Sequence, residues 1–269
     1  MPAPNEITPK QLKRLVGTPG CPVIVDVCTS EDFALDPRLV PSAIRHSHTE
    51  LGSLLARLDG RPAVIICQKG RKLSQGVVSW LQAHGATAEY LQGGVLAWRD
   101  AGLPLVPVNA VPFDAAGTTT WITRARPKID RIACPWLIRR FIDRDAKFLF
   151  VSPSEVHSAA DQFNAIPFDV EDVHFSHRGD RCTFDAMLED FGLACKALGR
   201  LALAVRAADT NRHDLHPVAP GLLAISVGLS RQYSDDQEQL EAGMALYDGL
   251  FRWARDGYNE GHDWPAVQG

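Results

Sequence analysis

Val64-Ile65-Ile66-Cys67-Gln68-Lys69-Gly70-Arg71-Lys72-Leu73-Ser74 is the stretch on which the fold turns. Its first three residues are β-branched and apolar, as in a strand covered on both faces. Beyond it Val77, Val78, Trp80 and Leu81 recur at helical spacing until Gly85, a helix stop. The stretch is therefore a strand, a tight loop and the start of a helix. Working outward, Val23–Val27 follows a Pro-Gly turn signal and reads as a second strand, and Glu89-Tyr90-Leu91 as a third. Leu51, Leu54, Leu55 and Leu58 mark a helix between the first two strands in sequence, and Gly93-Gly94 opens another turn. Short strands separated by helices predict an α/β fold with a parallel sheet flanked by helices.

Ligands of such sheets sit at the carboxyl ends of the strands, where Cys67 falls. A tight loop there turns successive backbone amides toward one point, and the following helix adds its positive end. Those donors favour a thiolate and an anion beside it. Cys67 is thus the candidate nucleophile, and Gln68, Lys69, Gly70, Arg71 and Lys72 are the candidate anion-binding residues. The competing reading is a buried structural cysteine at a strand end. Asp26 is expected to organise the loop through hydrogen bonds or a basic partner. Cys28 reads as a small buried hydrophobe, the alternative being a resolving thiol for Cys67.

Residues 1–108 resemble a single-domain rhodanese, a sulfurtransferase. The resemblance rests on Asp26 in the early strand, Pro41-Ser42-Ala43-Ile44, the Cys67 loop, Gly93-Gly94-Val95-Leu96-Ala97-Trp98, and Ala101-Gly102-Leu103-Pro104. It implies that Cys67 carries a persulfide, taken from thiosulfate or a related donor and passed to cyanide or a thiol acceptor. It also implies that the amides of residues 68–72 hold the sulfur-bearing anion, with no cofactor. Lys72 stands where that family often has arginine, and lysine lacks arginine's two-pronged donor geometry.

Residues 109–119 read as a linker, within a Pro- and Gly-containing stretch where the charge balance changes. Residues 1–108 hold 11 basic and 9 acidic groups, against 17 and 23 in the remainder. Residues 120–269 are expected to form a mostly helical second domain with a few short strands. Here a helix starting near Pro135, a strand over Phe148–Val151, two helical pieces broken at Gly192 or Gly199, and a helix through Leu240, Met244, Tyr247, Phe251 and Ala254 are expected. Arg131, Arg139 and Arg140, beside Cys134 and Trp136, are candidates for binding an oxyanion; ion pairing with this half's acids is the alternative. His177, Asp180, Cys182, Asp209 and His213 offer imidazole, carboxylate and thiol ligands for Mn, Fe or Zn, and spacing alone does not bring them together. Solvated loops and helix caps are the competing assignment.

This half resembles the C-terminal domain of the chromate-resistance protein ChrB. The matching motifs are Asp130-Arg131-Ile132-Ala133-Cys134-Pro135-Trp136, Gly179-Asp180-Arg181-Cys182-Thr183-Phe184-Asp185, and Asp235-Asp236 leading into Gly243-Met244-Ala245-Leu246-Tyr247-Asp248. The resemblance implies a link to chromate resistance or sensing, with chromate as a candidate ligand. The DNA-binding role of such regulators is not carried over, because a rhodanese-like region occupies its place.

The remaining features set limits. A chain of 269 residues with 45% hydrophobic and 22% charged residues is neither disordered nor fibrous. No apolar run reaches bilayer length, no secretory leader is read, and the net charge of −4 does not suit a nucleic-acid binder. Six scattered cysteines without a CxxC pair read as free thiols in a cytoplasmic protein. The expectation is a sulfurtransferase linked to chromate or oxidative-stress resistance. The alternative is a metal- or oxyanion-binding sensor on a non-catalytic rhodanese scaffold.

Overall fold

The computed structural model describes residues 5–114 and 117–262. Its front half runs β1 (Glu6–Ile7), α1 (Pro9–Leu15), β2 (Val23–Asp26), α2 (Ser30–Ala34), β3 (Arg38–Leu39), β4 (Ala43–Arg45) and α3 (Leu51–Leu58). It continues through β5 (Ala63–Ile66), α4 (Lys72–Ala83), β6 (Ala88–Leu91), α5 (Gly94–Asp100) and β7 (Val106–Pro107). Five strands form one parallel sheet in the order β1-β6-β5-β2-β4, with a separate antiparallel ribbon of β3 and β7. All residues of β2 and β5 are buried, as a sheet covered on both faces requires. Asp26 pairs with Ile66, so the chain leaves β2 and β5 at the same, carboxyl end of the sheet.

The back half runs β8 (Thr120–Arg124), α6 (Asp130–Phe141), β9 (Lys147–Val151), α7 (Val156–Phe163) and β10 (Ile166–Pro167). Four further helices follow: α8 (Thr183–Asp190), α9 (Lys196–Asp209), α10 (Ala219–Gln232) and α11 (Asp236–Arg252). The fold is thus α/β with a parallel, rhodanese-like sheet flanked by helices, followed by a mostly helical half whose short strands form the sheet β10-β8-β9.

Two helix boundaries differ from the sequence reading. The helix expected to start near Pro135 begins five residues earlier, at Asp130, and Pro135 lies inside it. A proline there removes one backbone donor, while Ala133 N–H still closes the first turn on Ile129 O at 2.7 Å. Of the two glycines considered as breaks, Gly192 separates α8 from α9 with φ of +64°, whereas Gly199 is inside α9. Asp235 caps α11, its Oδ1 accepting from Gln237 and Glu238 N–H.

Of the linker expected at 109–119, residues 115–116 lie outside the described residues. The preceding segment is packed: Leu105, Val106 and Val111 are buried and Phe113 lies against the core. One apolar cluster runs through both halves. Phe141 sits at the crossing, where a Cβ on Gly17 would come within 2.3 Å of its ring, and its carbonyl accepts from Ser42 N–H at 2.6 Å. Arg144 reaches across to Cys21 O, and Arg255 to Arg14 O. A shared core couples the halves, so urea should unfold the protein in one transition. Phe141→Ala should cost about 3 to 5 kcal/mol of the whole. Two separate transitions in the unmutated protein, followed by circular dichroism and tryptophan fluorescence, would contradict this.

Candidate functional site

The Cys67 loop is built against the turn that starts α5. Val95 N–H donates to Cys67 O and Leu96 N–H to Gln68 O, both at 3.1 Å. Gly70 and Gly94 meet backbone to backbone: a Cβ on Gly94 would lie 2.5 Å from Gly70 N, and one on Gly70 would lie 2.6 Å from Gly94 N. With the loop's first two carbonyls so engaged, its N–H groups are left over. Among the described residues no acceptor takes the N–H of Gln68, Lys69, Gly70 or Arg71, and no side chain caps α4. Cys67 is 5% exposed, and its Sγ lies 3.2 Å from Ser74 Oγ in the first turn of α4. Lys69, Arg71 and Lys72 are exposed, and none has a carboxylate partner among the described residues. The loop thus combines a thiol, unpaired amides and uncompensated positive charge, which favours an anion.

Asp26, expected to organise this loop, serves its own strand end instead. Its buried carboxylate accepts from Cys28 N–H at 2.9 Å and from the Cys28 thiol at 3.6 Å. Burial raises the Asp26 carboxyl above its ordinary range. Burial and then the Asp26 charge push the Cys28 thiol well up, so Cys28 is a neutral thiol donor.

In the back half, four separate elements bring acids around one imidazole. Asp130 opens α6, Asp169 follows β10, His177 lies in the loop before α8, and Asp209 ends α9. His177 Nε2 lies 3.2 Å from Asp209 Oδ2, 3.4 Å from Asp169 Oδ1 and 3.7 Å from Asp130 Oδ2. Asp130 is fully buried against the start of α8, where Oδ2 accepts from Thr183 N–H at 2.6 Å and Phe184 N–H at 3.3 Å. Hydrogen bonds to Asp169 and Asp209 raise His177 to about 10. Burial, then Asp209 and Asp169, hold the Asp130 carboxyl well above the usual range. Asp130, His177 and Asp209 could coordinate a metal ion, each offering one ligand atom within 4.8 Å of the others.

Two of the five expected metal ligands, His177 and Asp209, therefore meet. Asp180 is exposed in the tight turn closed by Arg178 and Arg181. The buried Cys182 thiol donates to Asp185 Oδ2 at 3.4 Å. His213 lies in a short 3-10 turn after α9, outside the cluster, its buried Nε2 without a partner among the described residues. Asp130 and Asp169, which border the same imidazole, are not among the residues expected from the sequence. In the sequence Asp130 stands five residues before the helix start expected near Pro135, and nothing local marks it as buried.

Arg131 stands apart from Arg139 and Arg140, which line one cavity with Arg144 and Lys147. Arg131 pairs with Asp169 at 3.2 Å, Arg139 with Glu241 at 2.5 Å, and Arg140 grips Asp248 through two bonds of 2.8 Å. Arg140 is nine residues beyond Arg131, about half a turn around the helix. Each guanidinium is engaged by a carboxylate, as the ion-pairing alternative has it.

Residues 121–254 match the family model described as "ChrB, C-terminal domain". Protein ChrB of Cupriavidus metallidurans is 28% identical over 216 residues, which cover 75% of this chain and 65% of that protein. The chain thus spans slightly less than two thirds of this curated relative. Among solved structures, the rhodanese-like domain protein from Staphylococcus aureus is 31% identical, covering 35% of this chain and 90% of that one, with a TM-score of 0.31. The thiosulfate sulfurtransferase from Pseudomonas aeruginosa is also 31% identical, over 39% of this chain and 19% of that one, with a TM-score of 0.34. No helix among the described residues is long and apolar enough to cross a membrane.

Proposed function

We propose that this chain, in which a rhodanese-like fold is joined to a ChrB C-terminal domain at residues 121–254, is a sulfurtransferase working through Cys67. The observation that carries the reading is a thiol at a strand end, beside four loop N–H groups without acceptors and three cations without carboxylate partners among the described residues. In the first step the Cys67 thiolate attacks the outer sulfur of thiosulfate. A new S–S bond forms, the S–S bond of thiosulfate breaks, and sulfite leaves with the electron pair. In the second, cyanide or a thiolate attacks the terminal sulfur of the persulfide and Cys67 leaves as thiolate. Gln68, Lys69, Gly70, Arg71 and Lys72 hold the anion. The loop amides stabilise the negative sulfur in both steps, and no cofactor is needed. Asp26 contributes by holding Cys28 and the neighbouring strand end. The resemblance of the back half to the ChrB C-terminal domain supports linking this activity to chromate or oxidative-stress resistance, and the scattered free cysteines suit the cytoplasm.

Intact-mass spectrometry after thiosulfate treatment tests the reading. The unmutated chain should gain one sulfur atom, lost again on addition of cyanide, and Cys67→Ser should gain none. Equal loading of Cys67→Ser would overturn it, as would no loading of the unmutated chain.

The acidic cluster favours a second reading, that the back half binds a metal. The residues fit such a group because Asp209 Oδ2 and Asp130 Oδ2 both face His177 Nε2, and the buried Oδ1 of Asp130 has no hydrogen-bond partner among the described residues. Asp130, His177 and Asp209 would hold Mn, Fe or Zn, which as a Lewis acid would bind and polarise an oxyanion such as chromate.

A further inference from the structure

A cavity of about 190 Å³ lies on the seam between the two halves and shares no lining residue with the Cys67 loop or the Asp130 group. Val16, which follows α1, and Trp98 of α5 line it from the front half. Phe141 of α6, Ala197 of α9 and Phe251 of α11 line it from the back half. All five side chains are buried, and the Phe141 and Phe251 ring centres lie 5.5 Å apart in edge-to-face contact. The indole donor of Trp98 is already used, Nε1–H donating to Pro104 O at 2.8 Å. Protein interiors are close-packed, so a void between three aromatic rings forfeits contacts that a matching apolar ligand would supply. An apolar cavity of ~150 Å³ takes a benzene-sized ligand. The interior here suits one aromatic ring, which Trp98, Phe141 and Phe251 can meet by stacking or by edge contacts.

The mouth has a different character. Lys13, Lys196, Arg200 and Arg255 also line the cavity, and no acidic side chain among the described residues does. Of the four, only Arg255 has a carboxylate partner among the described residues, Asp256 at 3.1 Å. Arg200 donates from Nη1 to Ala254 O at 2.8 Å, and its guanidinium lies 3.8 Å from the Tyr258 ring centre. Lys13 and Lys196 are exposed. Lys196 and Arg200 stand four residues apart on α9, where like charges repel. Lys13 brings a further positive charge from α1, on the other side of the seam. Cations gathered from both halves without a compensating acid attract an anion.

We propose that this cavity binds a small aromatic carboxylate, its ring between Trp98, Phe141 and Phe251 and its negative head at Lys13, Lys196 and Arg200. The inference is independent of the sulfurtransferase and metal readings. Such a ligand touches α1 and α5 on one side and α6, α9 and α11 on the other. It therefore binds only where both halves are folded against each other, and it stabilises the whole chain by mass action. Cys195 supplies a reporter, because it lines the cavity and is the one free cysteine that is not buried.

The test titrates the full chain with phenylacetate by calorimetry and follows alkylation of Cys195 by iodoacetamide with peptide mass mapping. One phenylacetate should bind per chain, and saturation should slow Cys195 alkylation at least ~5-fold. Benzyl alcohol, benzylamine and acetate each lack the ring or the negative head and should bind at least ~10-fold more weakly. Cys195→Phe places a ring in the cavity and should abolish binding. Cys195 makes no side-chain cap bond to α9, so the helix start does not depend on its thiol. Lys13→Gln combined with Lys196→Gln changes two exposed positions and should weaken binding ~10-fold. This double variant keeps the test decisive should Cys195→Phe fail to fold. Benzyl alcohol binding as tightly as phenylacetate would refute the anionic head. Binding undiminished by the substitutions would refute the cavity as its place. No heat and no protection of Cys195 at phenylacetate concentrations up to ~10 mM would overturn the proposal outright.

Discussion

Replacing Gly94 by alanine is expected to dismantle the Cys67 loop and to cost about 2 to 5 kcal/mol of stability. The added Cβ would lie 2.0 Å from Cys67 O, 2.5 Å from Gly70 N and 2.7 Å from Gln68 O, all backbone atoms that no side-chain rotation can move aside. The residue also has φ of +62°, which adds about 1 to 2 kcal/mol for any L side chain. Gly102→Ala separates the two contributions, because its φ is +65° and nothing lies within 4 Å of its Cβ. Urea denaturation should show the control losing only the backbone part. The Gly94 variant should lose more, together with sulfur loading of Cys67. Equal losses in the two variants would mean that the close approach of the two turns does not shape the loop.

Trp136→Ala should cost about 3 to 5 kcal/mol and be the most damaging single change in the back half. The indole is fully buried, with ring centres 5.5 Å from Phe251, 5.7 Å from Phe141, 6.2 Å from Tyr247 and 6.5 Å from Phe184. Its Nε1–H donates to Asp248 Oδ1 at 2.9 Å. Asp248 keeps both bonds from Arg140 when the indole is removed, so most of the loss comes from the cavity rather than from a stranded carboxylate. Trp136→Phe, which retains an aromatic ring but not the donor, should therefore lose less than half as much. Equal destabilisation by the two variants in chemical denaturation would assign the effect to the hydrogen bond instead.

Much of the front half was legible because its signals are local. Val64-Ile65-Ile66 is apolar at every position, and a parallel strand covered on both faces needs that. The helix after Cys67 follows from the spacing of Val77, Val78 and Leu81, all buried. Strands β4 and β8 were not read. The first has three residues, too few for a pattern, and the second begins beside a stretch dominated by linker signals. In the back half, the long helix α11 follows from the spacing of Leu240, Met244, Tyr247 and Phe251, all buried.

The sequence by itself determined that Cys67 stands between a buried strand and a helix, because strand, loop and helix are consecutive and their hydrogen bonds are mostly local. It also supplied His177 and Asp209 as metal-binding candidates. Only the tertiary structure decided that Asp26 serves Cys28, that Arg131 faces Asp169 while Arg140 faces Asp248, and that Asp130 and Asp169 surround His177. Burial and partnership of a charged side chain depend on elements 50 or more positions distant, as Asp130 and Thr183 are. No periodicity along the chain encodes which charges those elements bring together.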